Sequence, residues 1–287
     1  SRRPQRFSAS GVSSNTMPPQ PPPPPSPTRV FQVDSLRVEV HASRAAAGAA
    51  AAARVSQAIR AAIDERQVAR LIFAAAPSQN EFLDSLAVDA ALDWSAVEAY
   101  HMDEYLGLSA THAASFRRYL QERLFDRVGL LQARRHLIPG ESTASPLRVC
   151  LDYEELLRVS PVDCVCAGIG ENGHLAFNDP PVADFLDPVQ IKVVRLDAAC
   201  REQQVHDGCF ASIEEVPTHA YTLTIPALLQ PSVVSVVVPG PRKAQAVRDA
   251  LHGPVSESCP ASILRRHDGA VLYLDHDSAR LLDGTHR

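Results

Sequence analysis

Short apolar runs recur along this chain, and a helix-like stretch follows most of them. That alternation restricts the fold more than any other feature. A strand that is apolar throughout must be covered on both faces. Strand then helix, repeated, is the pattern of a mostly parallel sheet flanked by helices on both sides. Residues 36–41 alternate as a strand does, and the alanine-rich stretch 43–65 reads as a long helix. Further strands are expected within 68–75 and at 97–102, 162–167, 233–238 and 270–274. Helices are expected at 78–86, 115–128, 152–159 and 243–251, while 221–229 fits either state. The expected class is α/β, in one domain without internal repeats.

Residues 1–30 stand apart. Between positions 18 and 27 only Gln20 and Ser26 interrupt a run of proline. Such a run favours extended polyproline geometry and builds no core. Before it, residues 1–15 carry Arg and Ser but no acid, a weak likeness to a transit peptide. With no amphipathic period, the segment is read as a dispensable, disordered tail, with Met17 a candidate start. Residues 31–287 remain for the folded domain, enough for one sizeable core.

A net charge of −5 supplies no basic field for nucleic acid or an anionic membrane. No apolar run reaches the roughly 18 residues of a membrane span. A small anion can still be held by local positive groups. Among the 28 basic residues only Lys192 and Lys243 are lysine, which makes their locations informative. The six cysteines form no CxxC pair and read as reduced thiols of a cytosolic protein. The eleven histidines show no metal-ligand spacing, so no metal is expected.

In parallel sheets ligands bind beyond the carboxyl ends of the strands, so the residues following each apolar run are the ones to inspect. After the first comes Ala74-Ala75-Ala76-Pro77-Ser78-Gln79-Asn80-Glu81. Ser78 with Glu81 fits a capping box, and a helix start also suits a phosphate. After the second comes Met102-Asp103-Glu104-Tyr105. Adjacent side chains point apart, so one acid can face a cleft as a proton carrier; solvated loop acids are the plainer alternative.

The third loop runs from Gly168 to Pro180. Gly168, Gly170 and Gly173 permit a tight turn and close approach of backbone to a ligand. They spell GxGxxG, yet a dinucleotide fingerprint should open a helix, and Asn178-Asp179-Pro180-Pro181 breaks the chain instead. His174 lies among Asn172, Asn178 and Asp179, which suits a general acid/base held in one tautomer. The fourth loop is Pro239-Gly240-Pro241-Arg242-Lys243. Two cations at a helix start are unfavourable unless an anion sits with them; a solvated pair is the alternative.

Together these stretches resemble the glucosamine-6-phosphate deaminase/isomerase family, related to the 6-phosphogluconolactonases. The likeness rests on Met102 to Tyr105 with Gly107-Leu108, Gly168 to Pro180, Val216-Pro217, Thr222-Leu223-Thr224 and Gly240 to Ala244, over roughly residues 35–282. Gly-His-Leu-Ala-Phe-Asn-Asp-Pro looks like the deaminase branch. The resemblance implies a modified Rossmann-like sheet, no cofactor, and hydrolytic deamination of glucosamine 6-phosphate to fructose 6-phosphate and ammonia. It implies that Asp103 is the base between C2 and C1. His174 would open the pyranose ring, assisted by Asp179, where the family usually has Glu. Asn172 stands in the place of the other assisting acid. Lys243, Ser78, Gln79, Gly173 and Arg201 would bind substrate, Arg201 being set against a phosphate-binding arginine. The allosteric Arg-plus-Lys pattern appears as Gln190 and Lys192, so no allosteric activation is expected. A cytoplasmic enzyme follows, with a phosphorylated amino sugar as partner and a homo-oligomer left open. Two readings compete: a lactonase on the same scaffold, and a sugar-phosphate-binding regulator without catalysis.

Overall fold

The computed structural model describes residues 23–282; the expectations for residues 1–22 lie outside them. The chain opens with a hairpin of β1 (Arg29–Val33) and β2 (Leu36–His41). The ladder thus starts before residue 31, and a boundary at 30/31 cuts through β1. The next element is α1 (Arg44–Arg66), which starts where Ser43 Oγ accepts the Ala46 N–H and stops at Gln67, in left-handed geometry. Then come β3 (Ala69–Phe73), α2 (Asn80–Ala87), β4 (Val97–His101) and β5 (Asp103–Tyr105). They are followed by α3 (Phe116–Leu120), β6 (Arg135–His136), α4 (Pro146–Arg158) and β7 (Cys164–Ala167). The remainder is β8 (Ile191–Arg195), α5 (Ala198–His206), β9 (His219–Leu223), α6 (Ile225–Leu229), β10 (Val233–Val238), α7 (Ala244–His252), β11 (Ala270–Asp275) and α8 (His276–Ala279).

Eight strands form one sheet in the order β1-β2-β11-β10-β7-β3-β4-β6. All its pairings are parallel except that of β1 with β2. The central strands are buried on both faces, and their alternation sorts side chains to two cores. Leu71, Phe73, Cys164 and Cys166 join α1 and α2 on one side. Ile72, Val165, Ala167, Val236 and Val238 join α4 and α7 on the other. The expected α/β class therefore holds. A second sheet, β5-β9-β8, is antiparallel and was not expected.

Local differences have local causes. The Ser78/Glu81 capping box does not form: a tight turn, Pro77–Gln79, precedes α2, and Glu81 instead takes Arg44. The helix expected over 115–128 is α3 followed by one wide turn, Gln121–Phe125. The helix expected at 152 begins at Pro146, on a Ser145 cap. The ambiguous 221–229 divides into β9 and α6 at Thr224, which caps α6.

Gly48 lets α1 lie against the start of α2. A Cβ there would stand 2.7 Å from the Glu81 carbonyl carbon and the Phe82 nitrogen, backbone atoms that cannot swing aside. Alanine gains about 1 kcal/mol over glycine in a helix, but overpacking costs about 1–3 kcal/mol. Gly48→Ala is therefore expected to lower the urea midpoint; a raised midpoint would show that α1 and α2 part freely.

Candidate active site

Beside β7 the chain order reverses: β3 and β4 lie to one side of it, β10 and β11 to the other. Crevices open at such reversals, beyond the carboxyl ends of the strands. Here one of about 330 Å³ is lined by residues from all four loops noted above, within the size range of small-ligand sites.

Asp103 reaches it through a change of sheet. Met102 N–H still bonds Phe73 O of β3, while Met102 O already accepts the Leu223 N–H of β9. β5 then pairs with β9, Asp103 opposite Thr222. The Asp103 carboxyl lines the cavity, makes no hydrogen bond to the described protein and is 8% exposed. Burial, and then the neighbouring Glu104, hold it well above the usual carboxylate range. Glu104 turns the other way, into full burial. It accepts bonds from Ser115 Oγ (2.9 Å), Phe116 N (3.3 Å), Arg117 N (3.1 Å) and Arg117 Nε (3.0 Å). One acid fastens α3, and the other is left bare on the cavity.

The glycine loop presents His174. Its imidazole lies on Gly170, where a Cβ would come within 2.1 Å of ring carbon Cε1, so only glycine fits. Nδ1 faces Asn172 Oδ1 at 2.7 Å and Asp179 Oδ1 at 3.0 Å, while Asn172 Nδ2 donates to the same Asp179 oxygen at 3.0 Å. Two acceptors at Nδ1 keep the proton there and leave Nε2 as the bare nitrogen. Burial pushes Asp179 upward, but His174 and Asn172 pull it further down, so it stays an anion below its ordinary range. Asn178 is structural: its amide donates to Leu175 O and Leu223 O. Gly173, in left-handed geometry at φ 85°, stands behind the site against Cys259 rather than on its wall.

Among the described residues, His174, Asp179 and Cys200 bring ligand-type atoms within 4.8 Å of one another. Burial, followed by Asp179, pushes the Cys200 thiol far up. The Cys200 thiol also hydrogen-bonds Asp179, which ties the three side chains together.

Lys243 enters from the fourth loop. It is buried, lines the cavity and has no hydrogen-bond partner among the described residues. Burial lowers its pKa, against the pull of Asp207 and Glu171. Arg242 also lines the cavity and points to Asp207 (2.9 Å) and Glu171 (3.5 Å). Ser78 and Gln79 line the cavity, Gln79 Nε2 donating to Ser78 Oγ and Val237 O. Arg201 is placed elsewhere: it donates to Ile213 O and Val216 O and is not on the lining. Lys192 is held by Val182 O and Asp187. Sequence reasoning missed Arg44, Gln204 and Asp207 on the wall; the one signal for Arg44 was a cation at a helix start.

The family described as glucosamine-6-phosphate isomerases/6-phosphogluconolactonase matches residues 42–273. A glucosamine-6-phosphate deaminase of Exiguobacterium sibiricum is 37% identical over 193 residues, 67% of this chain and 73% of that protein. One from Listeria monocytogenes is 34% identical over 205 residues, 71% and 84% of the two chains. Among solved structures, a monomeric glucosamine-6-phosphate deaminase superposes with a TM-score of 0.78 at 27% identity, covering 85% of this chain and 99% of that one. A 6-phosphogluconolactonase from Shewanella baltica gives 0.69 at 18% identity, covering 85% and 98%, a likeness of fold.

Removing Glu104 tests how this wall is held. Glu104→Ala leaves Arg117 buried with one partner fewer and frees the first amides of α3. A loss of about 3–5 kcal/mol is expected, as for a broken buried ion pair, read from urea unfolding. A loss under about 1 kcal/mol would contradict the role given to Glu104.

Proposed function

The chain belongs to the family of glucosamine-6-phosphate isomerases and 6-phosphogluconolactonases, and from that premise we propose that it converts glucosamine 6-phosphate and water to fructose 6-phosphate and ammonia. One observation carries the reading. A bare Asp103 carboxyl, a bare His174 Nε2 and an unpartnered Lys243 share a single small cavity.

Each group has a place in the chemistry. Lys243, with Ser78 and Gln79, takes the phosphoryl group, a source of binding energy remote from the reacting carbons. His174 Nε2 moves a proton between the C1 hydroxyl and the ring oxygen, opening the pyranose to the aldehyde. Asp179 supports the charge the imidazole gains, and Asn172 orients it. Asp103 then removes the C2 proton and delivers it to C1, and as a proton passes from the amine to the C1 oxygen, C2–N becomes an imine. Water adds at C2 and ammonia leaves. A buried carboxyl with raised pKa suits this transfer, because base strength rises with pKa. The residues fit a reaction that proceeds without a cofactor. Among the described residues no helix is long and apolar enough to cross a membrane. The reading places the enzyme in the cytoplasm, away from nucleic acid, and takes the folded domain that opens with β1 as its catalytic domain.

Asp103→Asn is expected to cut kcat by about 10²–10⁴, the usual worth of a positioned base, with the fold intact; ammonia release at wild-type rate would exclude Asp103 as base. The base acts ionised, and the ionised fraction falls as pH drops through its pKa. The acid limb of kcat/KM is thus expected above the value near 4 of an ordinary Asp, and a flat profile down to that value would contradict the assignment. Gly170→Ala drives a methyl into the imidazole, and a displacement of this order is expected to cost about 10² in turnover. Unchanged turnover would mean that His174 does not act from this position.

A further inference from the structure

Building on the function proposed above, we propose that Arg44, in the first turn of α1, is a second cation for the substrate's phosphoryl group, exchanging its bond to Glu81 for phosphoryl oxygens. The case starts from a shortage of donors. Phosphate sites at glycine-rich turns and helix starts draw heavily on backbone N–H groups. In this cavity Pro77 has none. The Gln79 N–H is given to Ala76 O at 2.8 Å. The Gly240 N–H is held by both oxygens of Asp275, at 3.1 and 3.0 Å. Lys243 supplies one charge where a phosphate monoester carries nearly two.

The remaining cations differ in availability. Arg242 is committed to Asp207 and Glu171, on the α5 side of the cavity. Arg201 faces the carbonyls of residues 213 and 216. Arg44 lines the cavity, and its Nη1 lies 3.7 Å from where a Cβ would stand at Gly240, beside the turn that carries Lys243. Its side chain is 43% exposed, so it has room to turn. Its present partners are the Glu81 carboxylate, at 2.9 and 3.2 Å, and Pro77 O, at 3.4 Å. A guanidinium fork matches carboxylate and phosphate alike. Position gives Arg44 a standing need for an anion: a cation at a helix N-terminus is poorly placed without one, and α1 has no acid in its first turn. A phosphoryl group would take the place of the Glu81 carboxylate on this fork.

The test uses the full chain and two probes, fructose 6-phosphate and inorganic phosphate, titrated by calorimetry into wild type, Arg44→Met, Arg44→Lys and Glu81→Gln. Glucosamine 6-phosphate kinetics are run in parallel, and melting curves verify each fold. Arg44→Met is expected to weaken both probes about tenfold or more, the scale of a lost charged hydrogen bond. KM should rise similarly while kcat stays within about threefold. Arg44→Lys should fall between, and Glu81→Gln, which removes the competing anion, should tighten both probes. Binding by Arg44→Met within about twofold of wild type would overturn the proposal, and weaker binding by Glu81→Gln would overturn the exchange. Absence of turnover in every form would count against the deaminase reading alone, since the titrations still decide Arg44.

Discussion

Two adjacent carboxylates are buried in one wall of this protein, and the site depends on how differently they are treated. Burying a charge is costly unless it is paired and hydrogen-bonded. Glu104 meets that condition with the Arg117 guanidinium and the first amides of α3. Asp103 does not: nothing in the described protein bonds it, and burial beside Glu104 raises its pKa. The cost is tolerable because Asp103 opens onto a cavity instead of a closed apolar core. A base kept this way is poised rather than satisfied, and the saturation of Glu104 makes the adjoining wall rigid.

The sheet supplies the geometry that brings the other groups to Asp103. Seven parallel strands deliver their loops to one end, and the reversal of order beside β7 parts those loops into a crevice. The switch of Met102 from the large sheet to the small one turns Asp103 inward. Thr222, opposite Asp103, also accepts the Phe177 N–H, so the base and the His174 loop are tied to the same strand. The second sheet is small, yet it joins the Asp103 strand to the loop that carries His174.

Much of this was readable before any coordinates. The apolar runs of β3, β7, β10 and β11 announce strands covered on both faces, and the loops that follow them carry Ser78, Gln79, His174 and Lys243 to the cavity. What was not readable lacks an apolar signature. β8 carries Lys192 and Arg195, β5 is three residues long, and both are made strands by pairing to β9. α5 turns Cys200, Gln203 and Gln204 inward, a polar face that hydrophobic periodicity cannot detect. The Ser78/Glu81 motif misled because Arg44, distant in sequence, competes for Glu81. Arg201 resisted for a like reason: its bonds to residues 213 and 216 depend on how the chain returns after α5.

The most direct measurement offers purified protein glucosamine 6-phosphate and, separately, 6-phosphogluconolactone, and follows ammonia, fructose 6-phosphate and lactone opening together. The account predicts ammonia and fructose 6-phosphate in equal amounts from the amino sugar, and no lactone opening above the spontaneous rate. Rapid lactone opening without ammonia from the amino sugar would contradict it.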